Sequence, residues 1–255
     1  MNIGKEDQLF LNRLRELTAF TDRKGIPFYT GFLGLHEQSL FHSAEHEIRP
    51  PVRFRLFGGY GQAERQMVCF YNEDTGIEPD FPIHTVLVST LDAKFGEKLT
   101  HRDYLGAILN LGLDRSGIGD ILVMEKCGYI FCTAKLSAFL EENLLRIRHT
   151  CVSCHTVEFT EADYTPETEI ITVTVASARL DAVLAAVYHG ARTLLASYIS
   201  SGKVFVNGKQ IDSNSFQLKT DDVVSVRGLG KFIYRGVTGQ TRKGRLGIEI
   251  QKYVG

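Results

Sequence analysis

Cys151-Val-Ser-Cys154-His155 is a C-x-x-C-H string, the pattern that attaches c-type haem. With His149 it also gathers the sulfur and imidazole ligands that zinc takes. Haem attachment belongs to exported proteins, and the opening MNIGKEDQLF lacks the apolar core of a signal peptide. Structural zinc draws ligand pairs from separate segments, whereas these residues crowd into one apparent strand, where successive side chains point to opposite faces. Reduced thiols on a strand are therefore expected, with no metal and no cofactor. His42 and His46 stand one helical turn apart, but Ser43, Ala44 and Glu45 between them do not make the H-E-x-x-H of a zinc protease. With His36 they read as a polar helix face. His101, Arg102 and Asp103 could supply an imidazole and a carboxylate for general-base chemistry, yet neighbours on a helix point about 100° apart. A helix start is expected there instead, with Thr100 as cap and Asp103 at the positive end of the dipole. Gly58, Gly59 and Gly61 lack the Lys-Ser/Thr of a P-loop and read as a hairpin turn. No residue is assigned a catalytic role, and the chain is not expected to be an enzyme.

What remains is charge. The 255 residues are 44% hydrophobic and 23% charged, too apolar for disorder and long enough for two or three compact units. With 29 Lys+Arg against 30 Asp+Glu the net charge is -1 and the pI about 6.7, a balance that alone argues against a nucleic-acid binder. The average hides a division. Met1 to Ala176 holds 17 basic and 25 acidic residues, net -8, while Ser177 to Gly255 holds 12 and 5, net +7. No run approaches the roughly 18 apolar residues of a transmembrane helix. A soluble cytoplasmic protein is expected, its five cysteines (Cys69, Cys127, Cys132, Cys151 and Cys154) reduced.

The elements that must position these charges follow from periodicity. Leu9, Phe10, Leu14 and Leu17 predict a first helix, and a second runs from His36 to Ile48, closed by Pro50 and Pro51. Val52 to Phe57 and Gln66 to Tyr71 read as a hairpin that finishes an N-terminal domain, residues 1–78. From Ile83 the order becomes strand, helix, strand, strand, helix, strand over residues 79–165, a ferredoxin-like βαββαβ unit of the kind found in RNA-recognition modules. Tyr129 and Phe131 alternate on one face of its third strand, where such modules stack bases; here a packed core face is the preferred reading. Residues 166–176, within the acidic run of Glu158, Glu161, Asp163, Glu167 and Glu169, read as a solvated connector.

After Ser177, Leu180, Val183, Leu184 and Val187 mark one short helix, and Ala191 to Ser200 a second, buried through Leu194, Leu195, Tyr198 and Ile199. The pair makes an αα corner. A strand from Lys203 to Val206, the Asn207-Gly208 turn and a last strand from Val223 to Arg227 complete it. The fold class is α+β in three units.

The stretch SARLDAVLAAVYHGARTLLASYISSGKVFVNGKQI with DDVVSVRG resembles an S4 RNA-binding domain. GGYGQAER (58–65), LTHRDYLGAILNLGLDRSGIGDILV (99–123), SVRGLGKF (225–232) and TRKGR (241–245) are similar to the YlmH family of bacterial S4-domain proteins. The resemblance implies an N-terminal domain, an RRM-like middle domain, an S4 domain over 177–240 and a basic C-terminal strand or tail over 241–255. It further implies a non-catalytic factor that binds structured rRNA or tRNA on large ribosomal subunits carrying obstructed peptidyl-tRNA, in nascent-chain quality control, with a link to cell division. Ser would be expected where Ala191 stands, and a second basic residue where Leu229 stands.

An αα corner presents helix N-termini and basic side chains to phosphates. Arg179 and Arg192 open the two helices, and Lys203, Lys209, Arg227 and Lys231 flank the strands; each alone could be a solvated surface charge, but the +7 excess favours RNA contact. Arg242, Lys243 and Arg245 extend that surface, while Asn207 is expected to hold its turn. The resemblance makes Glu64 and Arg65, beside the glycine turn, secondary contact candidates, with Arg102. The rivals are an RNA-modifying enzyme, since S4 domains also accompany pseudouridine synthases and tyrosyl-tRNA synthetase, and a cell-division interaction scaffold. A synthase would need its catalytic Asp in a separate domain, and the Arg-Leu-Asp here lies inside the S4 helix. Nothing in the sequence demands a dimer or a membrane.

Overall fold

The computed structural model describes residues 4–73, 79–91 and 98–253. It divides into two compact units, Met1–Thr165 and Pro166–Gly255. The boundary expected at residue 78 lies outside the described residues.

The first unit opens with helix α1 (Lys5–Lys24), stopped by Gly25 in the left-handed conformation, whose N–H bonds to the Thr21 carbonyl. Leu11, Leu14 and Leu17 bury its inner stripe. Leu9, expected inside, is exposed: it sits off the stripe that the other leucines define. After β1 (Phe28–Tyr29), helix α2 ends at Ala44 rather than Ile48, having begun at Leu35, and a single turn Glu45–Glu47 leads to Pro50. These helices pack on a three-stranded antiparallel sheet, β1 with β3 (Met67–Asn72) and β3 with β2 (Val52–Phe57), around Phe41, Val68 and Phe70.

The βαββαβ reading holds. β4 (Ile83–Thr90), α3 (His101–Asn110), β5 (Ile118–Val123), β6 (Cys127–Thr133), α4 (Ala134–Asn143) and β8 (Thr150–Val157) form a sheet ordered β5-β6-β4-β8-β7, β7 being the two-residue strand Arg146–Ile147. Alternation along β4 and β6 sends Val86, Val88, Ile130 and Cys132 under the helices, with Tyr104 and Ile108 of α3 and Leu140 of α4. The opposite face is covered too. Phe131 is fully buried against Phe32, Met67 and Leu122, with the Tyr60 ring stacked on it at 5.1 Å. The N-terminal hairpin and the βαββαβ sheet thus share a core.

In the second unit, residues 166–176 are not a connector. Thr168–Val175 is strand β9, paired residue for residue with β14 (Leu246–Tyr253). Its β-branched alternation, Ile171, Val173 and Val175 inward, was masked in the sequence by the flanking glutamates. Helices α5 (Leu180–Val187) and α6 (Arg192–Ser200) then cover one face of a six-stranded antiparallel sheet ordered β11-β10-β12-β13-β14-β9. Leu195 and Ile199 of α6 are buried and Tyr198 packs beside them, but Leu194 is exposed. β10 (Val204–Val206) and β11 (Lys209–Gln210) flank the Asn207-Gly208 turn. β12 (Asp222–Val226) is not the last strand: β13 (Gly230–Gln240) and β14 continue as a long hairpin whose turn is the TRKGR segment.

Candidate nucleic-acid interface

Both helices of the corner begin in extended residues without side-chain caps, Arg179 for α5 and Ala191 for α6. What organises them is one carboxylate. Asp181, only 5% exposed, receives Arg192 through Nε and Nη2 at 2.9 and 2.7 Å, and Arg179 through the same pair of nitrogens at 3.2 and 3.3 Å. Burial works to raise the Asp181 pKa, but the hydrogen bonds from Arg192 and Arg179 outweigh it and hold the group below the usual carboxylate range. The arginine side chains remain 38% and 54% exposed, so two guanidinia face solvent in fixed orientation while only one charge is neutralised. A guanidinium carries five donors, and those not given to Asp181 can take phosphate oxygens in a bidentate fork.

Basic residues on the strands form a second group. The Arg227 N–H bonds to the Lys203 carbonyl at 2.9 Å, which sets these residues side by side at one end of β10 and β12. Lys203 lies over the Tyr198 ring at 5.0 Å and Lys231 over Tyr253 at 4.4 Å, with Lys252 over Tyr188 at 6.0 Å. A lysine held on a ring keeps its charge outward with less freedom to lose on binding. Tyr188, Tyr253 and Lys252 do not stand out in the sequence, and Tyr198 stands out only as a buried helix residue, because the contacts that pair the rings with the lysines are not visible in spacing.

Lys209 sits at the opposite end of β10, on the exposed side of its turn. Asn207 holds that turn as expected: its amide donates to Asp222 at 2.8 Å and its carbonyl accepts from the Val223 N–H. Arg242 and Lys243 are exposed on the β13–β14 turn, about 30 Å along the strand from Lys231 by the usual rise per residue. Arg245 is tied back, donating to the Thr174 carbonyl at 2.9 Å.

The secondary candidates divide. Arg102 is exposed in the first turn of α3, which starts with the expected capping pair: the Thr100 N–H and hydroxyl both reach Asp103, at 2.8 and 2.7 Å. Glu64 is exposed, its N–H bound by Asp120 at 2.7 Å. Arg65 points inward and donates to the carbonyls of Ile118, Phe32 and Arg115, so it fastens the glycine turn to the sheet. Neighbouring Arg115 donates to Ile118 and Gly119, and burial with the Arg65 charge lowers its pKa to about 10. Burial and Arg115's charge lower the His101 pKa, and Asp120 works against them without reversing the shift.

Cys151 is exposed and Cys154 buried, three residues apart on β8, and burial pushes the Cys154 thiol up to about 12. Among the described residues no three or more His, Cys, Asp or Glu side chains gather as metal ligands.

Comparison with known proteins then bears on this geometry. A family model described as "Putative RNA-binding domain in YlmH" matches residues 77–161, and the S4 domain model matches residues 178–224. The chain is 27% identical over 250 residues to ribosome-associated protein quality control protein P2 of Bacillus subtilis (strain 168), covering 97% of this chain and 96% of that one. A solved structure, the cell division protein ylmH from Streptococcus pneumoniae, is 27% identical with a TM-score of 0.50, covering 63% of this chain and 96% of that one.

Proposed function

We propose that this chain, which belongs to the YlmH family of S4-domain RNA-binding proteins, is a non-catalytic factor that docks on structured rRNA or tRNA through its S4 corner. Its site of action is the large ribosomal subunit carrying obstructed peptidyl-tRNA, in cytoplasmic nascent-chain quality control; the relative named for ribosome-associated quality control supports this over a pseudouridine-synthase-like role. Among the described residues no helix is long and apolar enough to cross a membrane. The observation that carries the reading is the Asp181 carboxylate holding Arg179 and Arg192 outward together. Lys203, Arg227 and Lys231 supply a second line of phosphate contacts, with Lys209, Arg242, Lys243 and Arg245 at the periphery.

The experiment is co-sedimentation of the full chain with purified large subunits across a salt series. Phosphate-led binding through about five contacts loses roughly 10²–10³ in affinity from about 50 to 200 mM salt, since each neutralised phosphate releases counterion. A flat response would remove phosphate contacts from the mechanism. Arg179→Ala with Arg192→Ala is expected to abolish sedimentation with a retained thermal transition. RNA recovered after incubation is expected to contain no new pseudouridine or other modified nucleoside when digested and separated by chromatography; a modified nucleoside would refute the non-catalytic role.

A further inference from the structure

The face of the βαββαβ sheet that stacks bases in RNA-recognition modules is closed at its centre, because Tyr60 lies on Phe131 and the hairpin turn at Gly59 presses its backbone against the same ring. Beside it a cleft of about 720 Å³ stays open. Its walls are Phe57 of β2, Phe81 and Phe159, and the Arg55 guanidinium stands 5.9 and 5.8 Å from the Phe57 and Phe81 ring centres. Its lining includes Thr85 of β4, a buried polar residue at 7% exposure.

We propose that this cleft binds a single unpaired nucleobase of RNA. The inference rests on the RNA-binding reading and adds a second, separate site in the first unit. A base has two π faces and a polar edge, and the cleft offers the complement: phenylalanine rings and a guanidinium plane for stacking, and the Thr85 hydroxyl, which can donate or accept. An apolar side chain of a protein partner would cover the rings and strip water from the Thr85 hydroxyl without replacing its hydrogen bonds, which is costly for a polar group so covered. Asp80 and Glu158 also line the cleft; they repel a phosphate and accept from ring N–H and amino groups, so the base and not the backbone is the ligand.

The test uses the full chain carrying Arg179→Ala and Arg192→Ala, titrated with a tetranucleotide of adenylate and followed by backbone amide NMR. Shifts confined to the amides around Gly59, Thr85 and Phe159 are expected, and adding Thr85→Val with Arg55→Ala should weaken that binding about tenfold while the folded spectrum persists. No shift at these residues at millimolar tetranucleotide overturns the proposal, as do equal shifts from a phenylalanine-containing peptide where RNA gives none. Failure here is separable from failure of the S4 reading. If the unaltered chain binds structured RNA and the cleft stays silent, only the cleft is refuted; if the cleft responds while the unaltered chain ignores structured RNA, the S4 reading is.

Discussion

At the residue scale the decisive group is acidic. Asp181 sits inside a basic surface, and its removal adds one positive charge to the unit. If the arginines acted only through charge, Asp181→Asn would strengthen RNA binding. Because the carboxylate fixes both guanidinia, we expect the opposite: affinity about tenfold lower in a filter-binding or sedimentation assay. Stability should fall as well, by about 1–2 kcal/mol, the low end for hydrogen bonds to a charged group since both arginines are partly solvated. The pH dependence has a definite sign. An acid whose folded pKa is depressed contributes stability that is fully present above its unfolded value of about 3.9 and is lost as pH falls through the folded value. The D181N variant should therefore be less stable than the parent at neutral pH and converge with it in strong acid, as read by urea unfolding at a series of pH values. The sequence showed Arg179 and Asp181 as neighbours at a helix start. It could not show Arg192 closing on the same carboxylate, because that contact spans the turn between two helices.

At the element scale, two junctions are testable. Gly59 has φ +103° and lies where a Cβ would overlap the Phe131 ring. Gly59→Ala thus meets both backbone strain and a filled core, and should destabilise the first unit by more than about 2 kcal/mol. A loss below about 0.5 kcal/mol in denaturant unfolding would mean that the turn does not dock on the sheet as described. Ala191 carries the opposite expectation. It occupies the N-cap of α6 in extended conformation with no side chain to accept from the first-turn N–H groups, so Ala191→Ser should stabilise the second unit by about 1 kcal/mol, visible as a raised thermal midpoint. Periodicity made α1, the βαββαβ order and the αα corner legible. It failed at β9, whose glutamates read as solvent-facing connector, and at the β13–β14 hairpin, whose glycines and bulges break the alternation. Both are strands that only partner registry defines. The role of Arg65 is hidden for a similar reason: the family resemblance marks it as a contact candidate beside the glycine turn, while three carbonyls across the junction hold it inward.

At the scale of the molecule, the place where the chain is divided decides both stability and charge. A fragment of residues 177–255 would follow the helix signal, yet it discards β9, removes Val175 from the core and bares the edge of β14. Each buried aliphatic lost is worth about 1.5–3 kcal/mol, and a bared flat edge invites association. Residues 166–255 keep that strand and should unfold in one cooperative transition, while 177–255 aggregates or melts far lower; equal midpoints would refute β9 as part of the sheet. Recounted at that boundary, residues 1–165 hold 17 basic and 23 acidic residues, net -6, and residues 166–255 hold 12 and 7, net +5. The division of charge survives, softened by Glu167 and Glu169, the latter 3.6 Å from Lys252. An acidic body tethered to a basic module lowers indiscriminate attraction to polyanions over distances set by the Debye length. Binding of random-sequence RNA duplex by 166–255 should therefore exceed that by the full chain at about 10 mM salt, where screening reaches about 30 Å, and the gap should close near about 150 mM, where it reaches about 8 Å. A gap that persists at the higher salt would mean that the first unit blocks the RNA surface by contact, and not by its field.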